Sequence, residues 1–210
     1  MSDLNKIGLY LILTNPVIGY EKLAEISVNE NIPIIQLRMK DVADREFYET
    51  ALKLKQITSQ TNTRLIINDR LDIALAVKAD GVHVGQDDLP VSEIRALIKN
   101  NFIVGLSTHS RKQVMKANKE SVDYIGIGPV FKTPTKKIPD PQLGLDKMQQ
   151  MIKESVHPYF CIGGINENNL EKVIKNGADN FCVVRAVNNS HQPEIEINNL
   201  MKIWKNEVLI

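Results

Sequence analysis

Eight short apolar runs rich in β-branched residues recur along this sequence, each followed by a longer amphipathic stretch, and that alternation limits the fold more than any other feature. The runs fall at 7–13, 32–37, 64–68, 81–85, 103–107, 124–128, 159–163 and 181–187. Helix-like segments occupy 21–29, 44–58, 71–78, 91–99, 111–120, 145–153, 168–175 and 194–207. Strands that are apolar on both faces and joined by helix-length crossovers indicate a parallel sheet covered by helices. Eight such units can close into a single (β/α)8 TIM barrel, an α/β fold, and an open doubly wound sheet is the alternative. Either architecture places ligands at the carboxyl ends of the strands.

The 210 residues contain no long polar or Pro/Gly/Ser-rich tract, which fits one domain over 1–210. Apolar residues at 43% against 24% charged give an ordinary globular balance. A formal charge of +1 argues against nucleic acid held by bulk electrostatics, so the expected partners are small molecules. Cys161 and Cys182 both lie in apolar runs and read as reduced, buried thiols in preference to a disulfide or metal site. The sequence has neither a signal-peptide apolar region nor an apolar stretch of about 18 residues or more, so the expected location is the cytoplasm, with no membrane partner.

Several strand ends carry polar residues that an apolar core does not need. The second run ends Gln36-Leu37-Arg38-Met39-Lys40-Asp41, and strand alternation puts Arg38 and Lys40 on one side, at the barrel mouth. Two converging cations call for an anion. The third run ends Asn68-Asp69 and the fourth continues to Asp87-Asp88, so carboxylates emerge from strands about 4.8 Å apart. Carboxylates brought close repel unless one protonates or a cation intervenes, and their oxygens suit Mg²⁺. Capping of the following helices by Asp69 or Asp88 is an equal reading. His83, inside the fourth run, reads as a packed, hydrogen-bonded residue in preference to a metal ligand. Ser107, Thr108 and His109 end the fifth run and either cap a helix or bind a ligand.

The segment from Gly126 to Lys137 is too long for an ordinary crossover turn and reads as a ligand loop, with hydroxyls at Thr133 and Thr135 and a mobile charge at Lys136. A surface loop with solvated lysines is the alternative. The pair Gly163-Gly164 after the seventh run would let an oxyanion approach backbone N–H groups, and barrels often bind phosphate after strands seven and eight. The eighth run carries Val183-Val184-Arg185-Ala186-Val187.

These segments together resemble the thiamine phosphate synthase family from the first strand to Val187. The resemblance rests on 36–41, on Ile66-Ile67-Asn68-Asp69-Arg70, on 79–90, on Ser107-Thr108-His109-Ser110 and on Gly128-Pro129-Val130-Phe131. It implies a transferase that joins a pyrimidine pyrophosphate to a thiazole phosphate, or to its carboxylated form with loss of CO₂, and releases pyrophosphate. By the same resemblance Gln36, Leu37, Arg38, Met39, Lys40 and Asn68 hold the pyrimidine pyrophosphate, Asp69 and Asp88 bind Mg²⁺, and Ser107 and Lys136 contact the pyrophosphate-bearing substrate. Arg38, Lys40, Ser107 and Lys136 are the residues it implies for catalysis. Thr133, Pro134, Thr135, Gly164, Val184 and Arg185 would surround the thiazole phosphate. Met39 stands where the family commonly has Glu, and Arg185 where a small Ser is frequent. A thiazole tautomerase-like isomerase on the same barrel is the rival, expected to lack the carboxylates and to carry a His where Pro129 stands.

Lys136 is expected to act on charge that grows as pyrophosphate leaves. Losing one charge-assisted contact then slows the chemical step about ten- to a hundredfold. Rapid-quench single turnovers should show Lys136→Ala cleaving slowly while binding pyrimidine pyrophosphate almost normally, with Lys137→Ala unaffected.

Overall fold

The computed structural model describes residues 4–98, 101–133 and 140–208. Eight strands, β1 (Gly8–Leu13), β2 (Ile34–Leu37), β3 (Arg64–Asn68), β4 (Gly81–Val84), β5 (Ile103–Thr108), β6 (Tyr124–Ile127), β7 (Tyr159–Ile162) and β8 (Asn180–Val183), pair in parallel in sequence order. β1 also pairs with β8, in the register Gly8↔Asn180 to Leu11↔Val183, so the sheet closes as a barrel and the open-sheet alternative falls. The intervening helices are α1 (Tyr20–Asn29), α2 (Asp44–Thr58), α3 (Leu71–Ala76), α4 (Val91–Leu97), α5 (Arg111–Ala117), α6 (Gly144–Glu154) and α7 (Leu170–Lys175). A short turn, α8 (Arg185–Asn188), and a longer helix, α9 (Pro193–Val208), follow β8.

Strand alternation sorts the core into two layers. Outward residues such as Leu11, Ile35, Ile67, Val104 and Ile125 join the larger cluster beneath the helices. Inward residues Tyr10, Ile34, Ile66, Ile103, Tyr124 and Phe160 fill the barrel itself. Tyr10, Tyr124 and Phe160 meet edge to face at centroid distances of 5.1–5.7 Å, and so floor the space above them. Cys161 and Cys182 are both buried and free. They sit on adjacent strands but in different layers, Cys161 outside and Cys182 inside, which keeps the two thiols on opposite faces of the sheet. Among the described residues no helix is long and apolar enough to cross a membrane.

At the amino ends of β4 and β6, acidic residues tie these strands to their predecessors. Asp80 accepts from the Leu65 N–H at 2.8 Å and from Lys55 at 2.9 Å, and Asp123 accepts from the Val104 N–H at 2.7 Å and from Arg95 at 2.6 Å. Charge at this end belongs to stability, away from the mouth.

The eighth strand stops earlier than its apolar sequence suggests, at Val183 and not Val187. Val184 leaves the extended region at φ −126°, ψ −86°, and α8 begins at Arg185. Asn188 is the physical reason. Its amide donates to the carbonyls of Ile12 (2.8 Å) and Val184 (2.7 Å), and its Oδ1 accepts from the Thr14 N–H at 2.8 Å. A helical turn is needed to bring that side chain back over the ends of β1 and β8. Asn180 clips the other end of the same seam, accepting from the Ile7 and Gly8 N–H groups and donating to the Leu4 carbonyl.

Asn188→Ala would strand buried backbone groups at the seam, each costing about 1–3 kcal/mol if it finds no partner. Urea unfolding should therefore register a clear loss of stability for Asn188→Ala and almost none for exposed Asn199→Ala. Equal stability of the two variants would mean that the seam does not depend on this amide.

Candidate active site

The inward positions change character from floor to mouth. Along β2 and one residue beyond it the series runs Ile34, Gln36, Arg38; on β3, Ile66, Asn68; on β5, Ile103, Gly105, Ser107. Above the aromatic floor this leaves a cavity of about 450 Å³, in the range of small-molecule sites, lined by Gln36, Arg38, Asn68, Ser107, Gly164 and Arg185 among others.

Asp69 and Asp88 are brought together at its edge, outside the residues that line it, where Asp69 directly follows the lining residue Asn68. Neither caps a helix: the residues preceding α3 and α4 are Arg70 and Pro90, and no side chain caps either end. Asp69 holds a positive φ of 60° and forms an ion pair with Lys40. Asp88 accepts from the Gly85 N–H at 2.6 Å, closing its own loop. Burial raises the Asp88 carboxyl above its ordinary value; the Gly85 N–H and Lys40 oppose the shift, and the adjoining Asp69 carboxylate adds to it. Two carboxylates pressed together in this way favour a shared proton or a cation. Among the described residues no group of three or more His, Cys, Asp and Glu side chains could hold a metal. Asp69 and Asp88 are two hard oxygen donors side by side, and Mg²⁺ is commonly bound by one or two carboxylates with water and substrate phosphate in its other positions.

The second-strand motif divides by parity. Gln36 and Arg38 line the cavity, whereas Leu37 and Met39 are buried in the outer layer and direct no side chain at it. Any contact they make with a ligand is through the backbone, so the absence of Glu at 39 removes no cavity side chain. Lys40 reaches the rim through Asp69.

Capping and ligand roles also separate after β5. Ser110, not Ser107, caps α5, accepting from the Gln113 N–H at 3.3 Å. The Thr108 hydroxyl is spent on the Gly126 carbonyl at 2.8 Å, and His109 Nδ1 sits 2.7 Å from the Gly128 carbonyl oxygen. Ser107 is left facing the cavity.

Thr133, Gly164, Val184 and Arg185 line the opposite part of the cavity, although Val184 and Arg185 do so from the turn after β8 and not from a strand. Pro134, Thr135, Lys136 and Lys137 lie outside the described residues. Gly164 is required for a reason beyond ligand approach. Its φ is +68°, and a Cβ there would lie 2.8 Å from Phe131 Cβ and 2.9 Å from the Lys132 carbonyl oxygen. The glycine lets the loop after β7 pack against the loop after β6, and so holds both at the mouth.

A model of thiamine monophosphate synthases matches residues 9–187, which takes in the barrel from the second residue of β1 into α8. The chain belongs to the thiamine monophosphate synthase family. It is 40% identical over 201 residues to a thiamine-phosphate synthase from Syntrophomonas wolfei, covering 94% of this chain and 96% of that one. A thiamine-phosphate synthase from Caldanaerobacter subterraneus is 45% identical over 166 residues, covering 78% and 76%. Among solved structures, a thiamine phosphate pyrophosphorylase from Pyrococcus furiosus superposes with a TM-score of 0.89 at 31% identity, covering 98% of both chains. A 3-hexulose-6-phosphate synthase, at 16% identity and a TM-score of 0.69, shares the barrel alone. Membership makes this chain a transferase of thiamine biosynthesis and disfavours the isomerase reading.

Within the family's barrel, Tyr10 and Tyr124 are among the cavity residues that sequence reasoning leaves unmarked. Tyr10 and Tyr124 counted as members of apolar runs, yet both turn hydroxyls into the barrel, where they hydrogen-bond at 2.9 Å. The available signal was their shared inward parity with Gln36, His83 and Ser107.

Proposed function

We propose that the enzyme joins a pyrimidine pyrophosphate to a thiazole phosphate, releasing pyrophosphate, with Mg²⁺ held by Asp69 and Asp88. The observation that carries this reading is the Asp69–Asp88 pair with Lys40 against it, at the rim of a cavity that also holds Arg38. A pyrophosphate ester needs positive charge at one end and a shaped pocket at the other, and this arrangement supplies both. Gln36 and Asn68 would bind the pyrimidine end, and Arg38, Lys40, Ser107 and Lys136 the pyrophosphate.

In this reading the pyrimidine amino group pushes electron density toward the exocyclic methylene. The C–O bond to pyrophosphate breaks with its electron pair on the leaving oxygen, and the thiazole nitrogen then forms the new C–N bond. The thiazole ring keeps its methyl and phosphooxyethyl groups on their own carbons; a 2-carboxylated thiazole in addition loses CO₂, the bonding pair staying on C2, which takes up a proton from water. No strong general base is required, so the chain contributes by holding both partners and by meeting negative charge on the departing group. Mg²⁺, when bound, adds positive charge at that oxygen. Arg38 presents a fixed fork of donors to the phosphate oxygens, while Lys40 is steered by Asp69. Thr133, Pro134, Thr135, Gly164, Val184 and Arg185 would surround the thiazole phosphate, with Arg185 adding a guanidinium. Two free, buried thiols suit a reducing compartment, and we place the enzyme in the cytoplasm.

Asp69→Ala or Asp88→Ala should lower turnover at least about a hundredfold, as expected for losing several kcal/mol of metal-assisted charge stabilisation. Chelation should reproduce that loss in the unaltered enzyme, and calorimetry should find that Mg²⁺ no longer tightens pyrimidine pyrophosphate binding in either variant. Full turnover by the folded double variant without divalent cation would remove Mg²⁺ from these residues.

A further inference from the structure

Between Gln36 and Ser107, which the reaction as described uses, the barrel holds three polar side chains that it does not: Tyr10, Tyr124 and His83. Gln36 Nε2 donates to the Tyr10 hydroxyl at 2.5 Å. Tyr10 and Tyr124 hydroxyls lie 2.9 Å apart, the Tyr124 hydroxyl lies 3.0 Å from His83 Nδ1, and His83 Nε2 lies 2.9 Å from Ser107 Oγ. Four successive contacts thus run from β2 through β1, β6 and β4 to β5.

The chain has a direction. The Tyr10 oxygen accepts from Gln36; either phenol could donate across the Tyr10–Tyr124 contact, and the direction that leaves no buried phenol proton without an acceptor has Tyr10 donating to Tyr124 and Tyr124 donating to His83 Nδ1, which requires a neutral imidazole. Burial pushes both phenols well above their ordinary values, so each keeps the one proton it has to give. Neutral His83 then carries its proton on Nε2 and donates it to Ser107 Oγ. The Ser107 hydrogen is left for the cavity.

We propose that Tyr124 and His83 are positioning residues that fix the Ser107 hydroxyl as a hydrogen-bond donor toward the phosphate-bearing substrate. The proposal rests on the reading of Ser107 as a substrate contact. Its chemical point is that phosphate oxygens only accept. A serine that donates to histidine would present lone pairs to the anion and repel it, whereas one that accepts from histidine presents its proton. The direction of a buried chain therefore decides whether Ser107 attracts or repels.

Gly105 is an independent observation of the same arrangement. A Cβ at this inward position would lie 2.2 Å from Tyr124 Cζ, 2.4 Å from its hydroxyl oxygen and 2.5 Å from His83 Nδ1. The residue on β5 directly below Ser107 in the inward row is the one without a side chain, and the space it leaves is taken by the Tyr124–His83 contact. Any larger residue there would separate the two partners.

The test has two arms on the intact enzyme. The first is ¹⁵N NMR of the His83 ring, which needs no variant and no substrate; the expected tautomer has hydrogen on Nε2 and none on Nδ1. The second is a double-mutant cycle. Tyr124→Phe keeps the ring packing but breaks the chain, and should reduce kcat/KM for the pyrimidine pyrophosphate about tenfold, the order of one hydrogen bond to a charged group. In a Ser107→Ala background the same change should cost nothing further, a non-additivity that general destabilisation would not produce. A His83 ring protonated on Nδ1 alone overturns the proposal, as do additive losses when Ser107→Ala is itself impaired. If Ser107→Ala turns over like the unaltered enzyme, the reading of Ser107 as a substrate contact falls, and this proposal with it.

Discussion

Closure between β1 and β8 joins residues separated by more than 170 positions, and every other feature of the mouth depends on it. Backbone pairing along the seam is reinforced at both ends by a buried asparagine, Asn180 below and Asn188 above. Each satisfies backbone donors and acceptors that the last residues of a strand would otherwise leave orphaned in a low-dielectric setting. Only a closed barrel lets Tyr10 on β1 reach Tyr124 on β6 across the interior. The cavity floor is thus a product of pairing between the first and last strands.

Closure also converts strand alternation into a graded interior. Positions facing inward begin apolar, because the lower barrel must be filled, and turn polar toward the carboxyl ends of β2, β3 and β5, while Ile12, Ile162 and Val184 keep the β1, β7 and β8 side apolar. That gradient places Gln36, Asn68 and Ser107 on the strands themselves, with Arg38 one residue past β2. Side chains fixed on strands are held more precisely than side chains on loops, which matters for a reaction that depends on positioning and charge more than on a strong base. The carboxylates instead sit just past β3 and beyond β4, where a positive φ at Asp69 and the short loop closed by Asp88 bring them together.

Much of this was legible in the sequence. The alternation of eight strand-like runs with helical segments led to the barrel, and the parity of Arg38 and Lys40 pointed to the mouth, where Arg38 lines the cavity and Lys40 pairs with Asp69. Other features were not legible, for reasons that are physical. The run at 181–187 is uniformly apolar, and nothing local marks where extended chain becomes helical; the turn at Val184 is imposed by Asn188 bonding to β1, far away in sequence. Asp69 and Asp88 each precede a helix, so capping and pairing looked alike until the intervening Arg70 and Pro90 occupied the cap positions. Leu37 and Met39 entered the site as members of a contiguous motif, but a strand turns alternate residues away from any one ligand. Tyr10 and Tyr124 were hidden because an aromatic ring satisfies the apolar pattern while its hydroxyl serves the cavity.

The account makes the barrel mouth a place where a pyrophosphate leaves one substrate as the nitrogen of a second takes its place. The most direct measurement supplies purified enzyme with the pyrimidine pyrophosphate, the thiazole phosphate and Mg²⁺, and follows both products. The account predicts thiamine phosphate and pyrophosphate appearing in equal amounts, with no thiamine phosphate when either substrate is withheld. Binding of both substrates without a product, or an isomerised thiazole phosphate as the sole product, would contradict it.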